Sequence, residues 1–72
     1  MTRRRIELQL RLLRAVLRSE RRRGSPEALA LLVERSDAIL ERVALEIEEE
    51  PDPELHDLLA AVRAELDDAR SS

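Results

Sequence analysis

The 72 residues predict an all-α fold, a three-helix up-down-up antiparallel bundle, and three observations carry that prediction. Apolar residues recur at alternating four- and three-residue spacing through three stretches, which gathers them on one face of a helix. Two short breaks, each containing proline, divide the stretches. The apolar set is aliphatic: fourteen Leu, three Ile, four Val and nine Ala, with no Phe, Trp or Tyr. That vocabulary suits helix-on-helix packing and is poor in the β-branched and aromatic residues that sheets favour.

The breaks set the boundaries. Gly24-Ser25-Pro26-Glu27 combines a glycine that ends one helix with a serine N-cap and a proline in the first helical position of the next. Pro51-Asp52-Pro53-Glu54 repeats the device, with Pro51 stopping a helix, Asp52 as N-cap and Pro53 opening the last helix. The chain reads as one domain over residues 1–72, with helices over about 2–23, 26–50 and 53–70. Such short connections set successive helices side by side and antiparallel.

In the first stretch Ile6, Leu10, Leu13 and Leu17 form a buried stripe. The second carries Leu29, Val33, Ser36, Leu40, Val43 and Ile47 at the same spacing, flanked by Leu32, Ile39 and Ala44. The third carries Leu55, Leu59, Val62, Leu66 and Ala69, with Leu58 beside them. Repeats averaging 3.5 residues imply left-handed heptad packing of helices crossing at about 20°. Ser36 is the one polar residue of the main seam, and its hydroxyl is expected to bond back to the carbonyl four residues earlier. A rival pattern runs through Ile6-Glu7-Leu8-Gln9-Leu10-Arg11-Leu12, which alternates as a half-buried strand does, and Val43, Leu45 and Ile47 do so over a shorter span. Leu, Glu, Gln and Arg are helix formers, and no turn residue follows Leu12, so helix is the expectation.

The first helix is apolar on more of its circumference than one small bundle covers. Leu8, Leu12, Ala15 and Val16 fall beside the main stripe and widen the apolar arc to roughly 220°, against about 100° for an ordinary surface helix. The second helix repeats the surplus on a smaller scale. Leu31, Ala38 and Leu45 recur every seven residues opposite its main seam, with Glu27, Glu34, Glu41 and Glu48 on one flank and Arg35 and Arg42 on the other. An apolar line bordered by opposite charges is how helix–helix seams select partners. Burying Leu8, Leu12, Leu31 and Leu45 would contribute at most roughly 6–12 kcal/mol per chain at 1.5–3 kcal/mol for each leucine. Two chains together then offset an association cost of roughly 4–15 kcal/mol. The expected partner is another copy of the chain in a helical homo-oligomer; the alternative is a binding module whose first helix docks a different protein. A two-fold dimer is the commonest solution, and rings of three or more are also open.

Net charge is −3 but unevenly spread. Residues 1–23 hold nine Arg against Glu7 and Glu20, a charge of +7, and the remainder holds four Arg against fourteen acids, a charge of −10. All thirteen basic residues are Arg, a bias that a GC-rich bacterial genome and a sequence-design programme both produce. Arg3, Arg4 and Arg5 open the first helix and Glu48, Glu49 and Glu50 close the second, each cluster opposing its own helix dipole. Antiparallel packing is expected to bring the two clusters together, fixing helix order or the register between chains.

Motifs for chemistry do not assemble. There is no cysteine for a disulfide or a thiolate site. His56 is the only histidine, lies off the apolar stripe and has no second ligand with which to build a zinc site. The Glu-x-x-His arrangement of carboxylate-bridged metal centres is missing, since Pro53 stands three residues before His56. One glycine cannot make a phosphate loop. The basic first helix raises nucleic-acid binding as a rival function, yet the acidic remainder repels a duplex and no aromatic is present to stack on single strands. A basic amphipathic helix also suits a membrane surface or a calmodulin-like partner, but those helices usually present aromatic anchors. No catalytic residue, metal, cofactor or small-molecule ligand is therefore expected, and the protein should not be an enzyme. No membrane span or targeting signal is read, so the chain is expected to be soluble and cytoplasmic in an expression host.

The paired caps Gly24-Ser25-Pro26-Glu27 and Pro51-Asp52-Pro53-Glu54-Leu55, the clean heptads and the Ala/Leu/Glu/Arg vocabulary resemble computationally designed helical bundles. The whole chain looks like one protomer of a designed homo-oligomer, with idealised, capped helices and no irregular loops. It departs from that style in lacking Lys and in opening on an Arg cluster. The resemblance implies that the function is assembly, with no reaction catalysed.

Overall fold

The computed structural model describes residues 2–49 and 52–71. Three helices account for them: α1 over Thr2–Arg23, α2 over Pro26–Glu49 and α3 over Pro53–Ser71. The described residues contain no strand. Ile6 to Leu12 thus lie within α1, and their period-two alternation comes from apolar residues on two faces of one helix. The longest dimension, 36 Å, matches a 24-residue helix at about 1.5 Å per residue. Each helix therefore runs nearly the length of the molecule.

Backbone chemistry accounts for the boundaries. Gly24 has φ of +71° and its N–H donates to the Glu20 carbonyl at 3.3 Å, the left-handed turn that ends a helix. A Cβ there would meet nothing within 4 Å, so backbone conformation, not space, calls for glycine. Ser25 holds the N-cap position through its carbonyl, which accepts from Leu29 N–H at 3.0 Å. Asp52 caps α3 more fully. Its Oδ1 accepts from the N–H groups of Glu54 at 3.1 Å and Leu55 at 3.3 Å, and its carbonyl accepts from His56 N–H at 3.0 Å. Pro51 and Glu50 lie outside the described residues, and with them the helix stop and the last residue assigned to the second helix. At the far end α3 runs one residue beyond the expected 70, and the Ser71 hydroxyl donates to the Asp67 carbonyl at 3.1 Å.

Cross-helix pairs give the topology. Arg3 near the start of α1 meets Glu54 near the start of α3, and Arg18 further along meets Glu65 further along, so α1 and α3 run the same way. Asp37 of α2 meets Arg70 near the end of α3, while Arg63 shares a cleft with Glu41, so α2 runs oppositely. The order is up-down-up. α1 packs most extensively on α3 and least on α2.

The core is one aliphatic column. Ile6, Leu10, Leu13 and Leu17 meet Leu40, Val43 and Ile47 and Leu55, Leu59, Val62 and Leu66. Ala69 is buried beside them. Leu32, Val33, Ile39, Ala44 and Leu58 close the column as half-buried neighbours. Two residues fall short of the core position that their spacing gives them. Leu29 and Val33 are only half-buried, because the last turns of α3 offer them Ala69 and Arg70, a methyl and a charged chain. The result is an open apolar notch bounded by Pro26, Leu29, Ala30, Val33, Ala69 and Arg70.

Ser36 is fully buried, but its hydroxyl does not bond back along α2. The Oγ has no hydrogen-bond partner among the described residues. Burying a hydroxyl without a partner costs about 1–3 kcal/mol. The Nε of half-buried Arg14 likewise has no partner among the described residues. Ser36→Ala removes the orphaned hydroxyl at almost no cost in volume and also raises helix propensity. The expected result is a melting temperature higher by several degrees in circular dichroism, since about 1 kcal/mol shifts Tm by roughly 4–8 °C in a domain of this size. A fall would mean that the hydroxyl has a partner.

Candidate interaction surface

With one stripe of each helix turned inward, the surplus apolar residues face out. Leu8 is 62% exposed, Leu12 66%, Leu31 61% and Leu45 66%, with Val16 at 36% on the edge of the strip. Ala15 and Ala38 are also exposed. On α1, taken at about 100° per residue, Leu8, Leu12 and Ala15 lie almost opposite the Ile6–Leu10–Leu13–Leu17 stripe, and of the four residues expected beside it only Val16 adjoins it. Val16 leans toward the α2 side. On α2, Leu31, Ala38 and Leu45 lie opposite Ser36, Leu40, Val43 and Ile47. The structure therefore presents two apolar strips on the outside of neighbouring helices, a short one over residues 8–16 of α1 and a longer one over residues 31–45 of α2.

The charges divide into those engaged within the chain and those left over. Arg3 is the most engaged. Its Nε donates to Asp52 Oδ2 at 2.5 Å and its Nη2 to Glu54 Oε2 at 2.8 Å. It also reaches Glu7 one turn along at 3.3 Å. The hydrogen bond from Arg3 holds the Asp52 carboxyl below the usual carboxylate range, and the backbone N–H groups of Leu55 and Glu54 add to that effect. Arg3 is correspondingly raised, first by the same hydrogen bond. Arg18 and Arg21 converge on Glu65 at 3.0 and 3.7 Å, Arg11 pairs with Glu7 at 2.9 Å, and Arg70 pairs with Asp37.

Within the chain, these pairs overturn one expectation. Among the described residues the arginine cluster of α1 does not meet the glutamates that close α2, since neither Arg4 nor Arg5 pairs with Glu48 or Glu49. Glu50 lies outside the described residues. Arg3 turns to the start of α3 instead, because α1 and α3 begin at the same end and the Asp52 cap offers a fixed carboxylate there. Sequence reasoning missed this anchor. An N-cap aspartate at one helix start and an arginine in the first turn of a parallel neighbour were the available signal.

On α2, Glu27, Glu34, Glu41 and Glu48 make no ion pair among the described residues, and all four are exposed. His56 is exposed as well. Among the described residues no group of three or more His, Cys, Asp or Glu is placed to hold a metal ion, and no helix is long and apolar enough to cross a membrane. Open clefts between helices are lined by ordinary ion pairs, as where Arg18, Arg21 and Arg22 surround Glu65. No family model, curated protein or solved structure matches the chain.

The Asp52–Arg3 link makes a pH prediction. A carboxyl held below its unfolded value contributes stability that is fully present above that value, near pH 4, and lost as pH falls through the lowered folded value. Asp52→Asn keeps a capping oxygen but removes the titration. At neutral pH the wild type should melt above the variant. Between pH 5 and 2 the difference should close, and a difference independent of pH would show that the link contributes nothing.

Proposed function

We propose that this chain is a structural self-assembling protein, a helical homo-oligomer of the designed kind, with no catalytic activity. It associates mainly through Leu8, Leu12, Ala15 and Val16 of α1, with Leu31, Ala38 and Leu45 of α2 contributing. One observation carries the reading: Leu8 and Leu12, one turn apart on a regular helix, are each about two-thirds exposed while the core beneath is already closed without them. A strip of this kind left in water on so small a domain is a liability for aggregation, and covering it is the usual reason for its presence. Regular capped helices and very short connections support the designed origin.

The second copy is favoured over a foreign partner by repetition. One molecule carries two apolar strips, and both find apolar surface if copies meet one another. Mass in solution across about a hundredfold concentration range tests the reading. The wild type should give one integer multiple of 8.3 kDa, unchanged on dilution, and Leu8→Glu/Leu12→Glu should give a folded monomer. A wild type that stays monomeric overturns the reading and turns the strip into a docking face for a different protein. A double variant that keeps the wild-type mass removes α1 from the contact.

A further inference from the structure

Resting on that reading, we propose that the contact is made between unlike helices: the outer strip of α1 in one copy packs antiparallel on the outer strip of α2 in the next. The argument is one of charge. Around α1, taken at about 100° per residue, Arg4, Arg11 and Arg18 form a row seven residues apart along one edge of the Leu8–Leu12–Ala15 strip. No carboxylate borders that strip, because Glu7 and Glu20 sit on the inner half of the helix and are half-buried. Two antiparallel copies of α1 face to face would set arginine along arginine, an arrangement that helix–helix seams avoid. In a parallel pair each arginine row would meet the edge of Arg5, Gln9 and Val16, which offers no carboxylate either. α2 offers the complement. Glu27, Glu34, Glu41 and Glu48 repeat at the same interval along one edge of Leu31, Ala38 and Leu45, exposed and without ion pairs among the described residues.

Register and direction follow from the same rows. Laid antiparallel, Arg4 meets Glu48, Arg11 meets Glu41 and Arg18 meets Glu34. That register also sets Leu8 against Leu45 and Ala15 against Ala38. The handedness of the α-helix fixes the direction. In an antiparallel pair the arginine row and the glutamate row fall on the same side of the contact. In a parallel pair Arg35 and Arg42 would take the place of the glutamates and repel. Arg11 and Arg18 already touch Glu7 and Glu65, yet a guanidinium has five N–H donors and serves several carboxylates, as Arg3 does here with three partners.

The two strips lie on neighbouring helices of one bundle and point in different directions, so a two-fold axis cannot match both strips of one copy with both strips of another. The contact is head-to-tail. All copies then point the same way along the bundle axis, and the single mass expected in solution requires that the assembly close as a ring.

Reversing each row tests the pairing. Arg4→Glu/Arg11→Glu reverses one row, Glu41→Arg/Glu48→Arg reverses the other, and a third chain carries all four substitutions. None touches the core, and Arg4→Glu and Glu48→Arg each place the charge that the local helix dipole favours. By light scattering at low ionic strength, each double variant should require a concentration higher by roughly tenfold or more to assemble. The chain with all four should return to the wild-type range. As a check independent of variants, added salt should weaken assembly of the wild type, because screening removes an attraction. The proposal falls if either double variant assembles like the wild type, if the fourfold chain stays dissociated, or if salt strengthens assembly. Self-association itself would then still stand on the wild-type mass. A wild type that is monomeric throughout overturns both.

Discussion

Everything in this molecule depends on burying a single aliphatic column. No disulfide, thiolate site or aromatic anchor is available to the chain, and domains of this size have little core to spare. Leucine, isoleucine and valine at heptad spacing must therefore fill the space among three helices almost unaided. Leu10, Leu17 and Val62 are fully buried at its centre, with Val43 and Ile47 nearly so. The remaining features protect the column. Gly24 and Asp52 close helix ends, and Arg3 ties the start of α1 to the start of α3. The column is also where the defects matter, since Ser36 places in it a hydroxyl with no partner among the described residues, and Leu29 is only half-covered at one end.

The use of arginine alone as the basic residue fits the way the charges are spent. A guanidinium presents its donors in a fixed fork and can serve more than one carboxylate. Arg3 meets Asp52, Glu54 and Glu7, and Arg18 and Arg21 share Glu65. Because α1 carries nine of the thirteen arginines and packs chiefly on α3, its cross-helix ion pairs run to α3, and among the described residues the outer glutamates of α2 make none. The lopsided distribution along the sequence thus becomes a lopsided molecule, basic on one outer helix edge and acidic on another.

How much of this was legible in the sequence depends on the range of the interaction. Helix boundaries are local matters, and the Gly24-Ser25-Pro26 and Asp52-Pro53 signals mark them to within a residue. The burial of Ile6, Leu40 or Leu66 follows from periodicity, because a helix face needs no knowledge of its partner. Leu29 and Val33 have the same spacing but are half-buried, since burial also requires a large residue opposite, and α3 ends on Ala69 and Arg70. Ser36 shows the same limit. A hydroxyl in a helix can bond back along the turn, but whether it does depends on a rotamer that packing selects. Arg3 is the least legible, because its partners Asp52 and Glu54 come near it only through the parallel relation of α1 to α3, which no local pattern encodes.

The outer strips raise a last question of division of labour. Exposed ion pairs contribute little on their own, about 0–1 kcal/mol each, while a buried leucine contributes roughly 1.5–3 kcal/mol. In the proposed contact the affinity must then come chiefly from Leu8, Leu12 and Leu45, and the arginine and glutamate rows decide which strip meets which and in what direction. Leucine alone could not make that choice, since an apolar strip accepts its own copy as readily as its neighbour. Charge alone could not hold the contact against the cost of association. Placing Ala15 opposite Ala38 lets the backbones approach where the strips are narrowest, which brings the flanking rows within reach of each other. The same burial would also add to the stability of a small fold, because a partner that binds only the folded state shifts folding by mass action. A domain with a column this slender has reason to keep leucines on its outside.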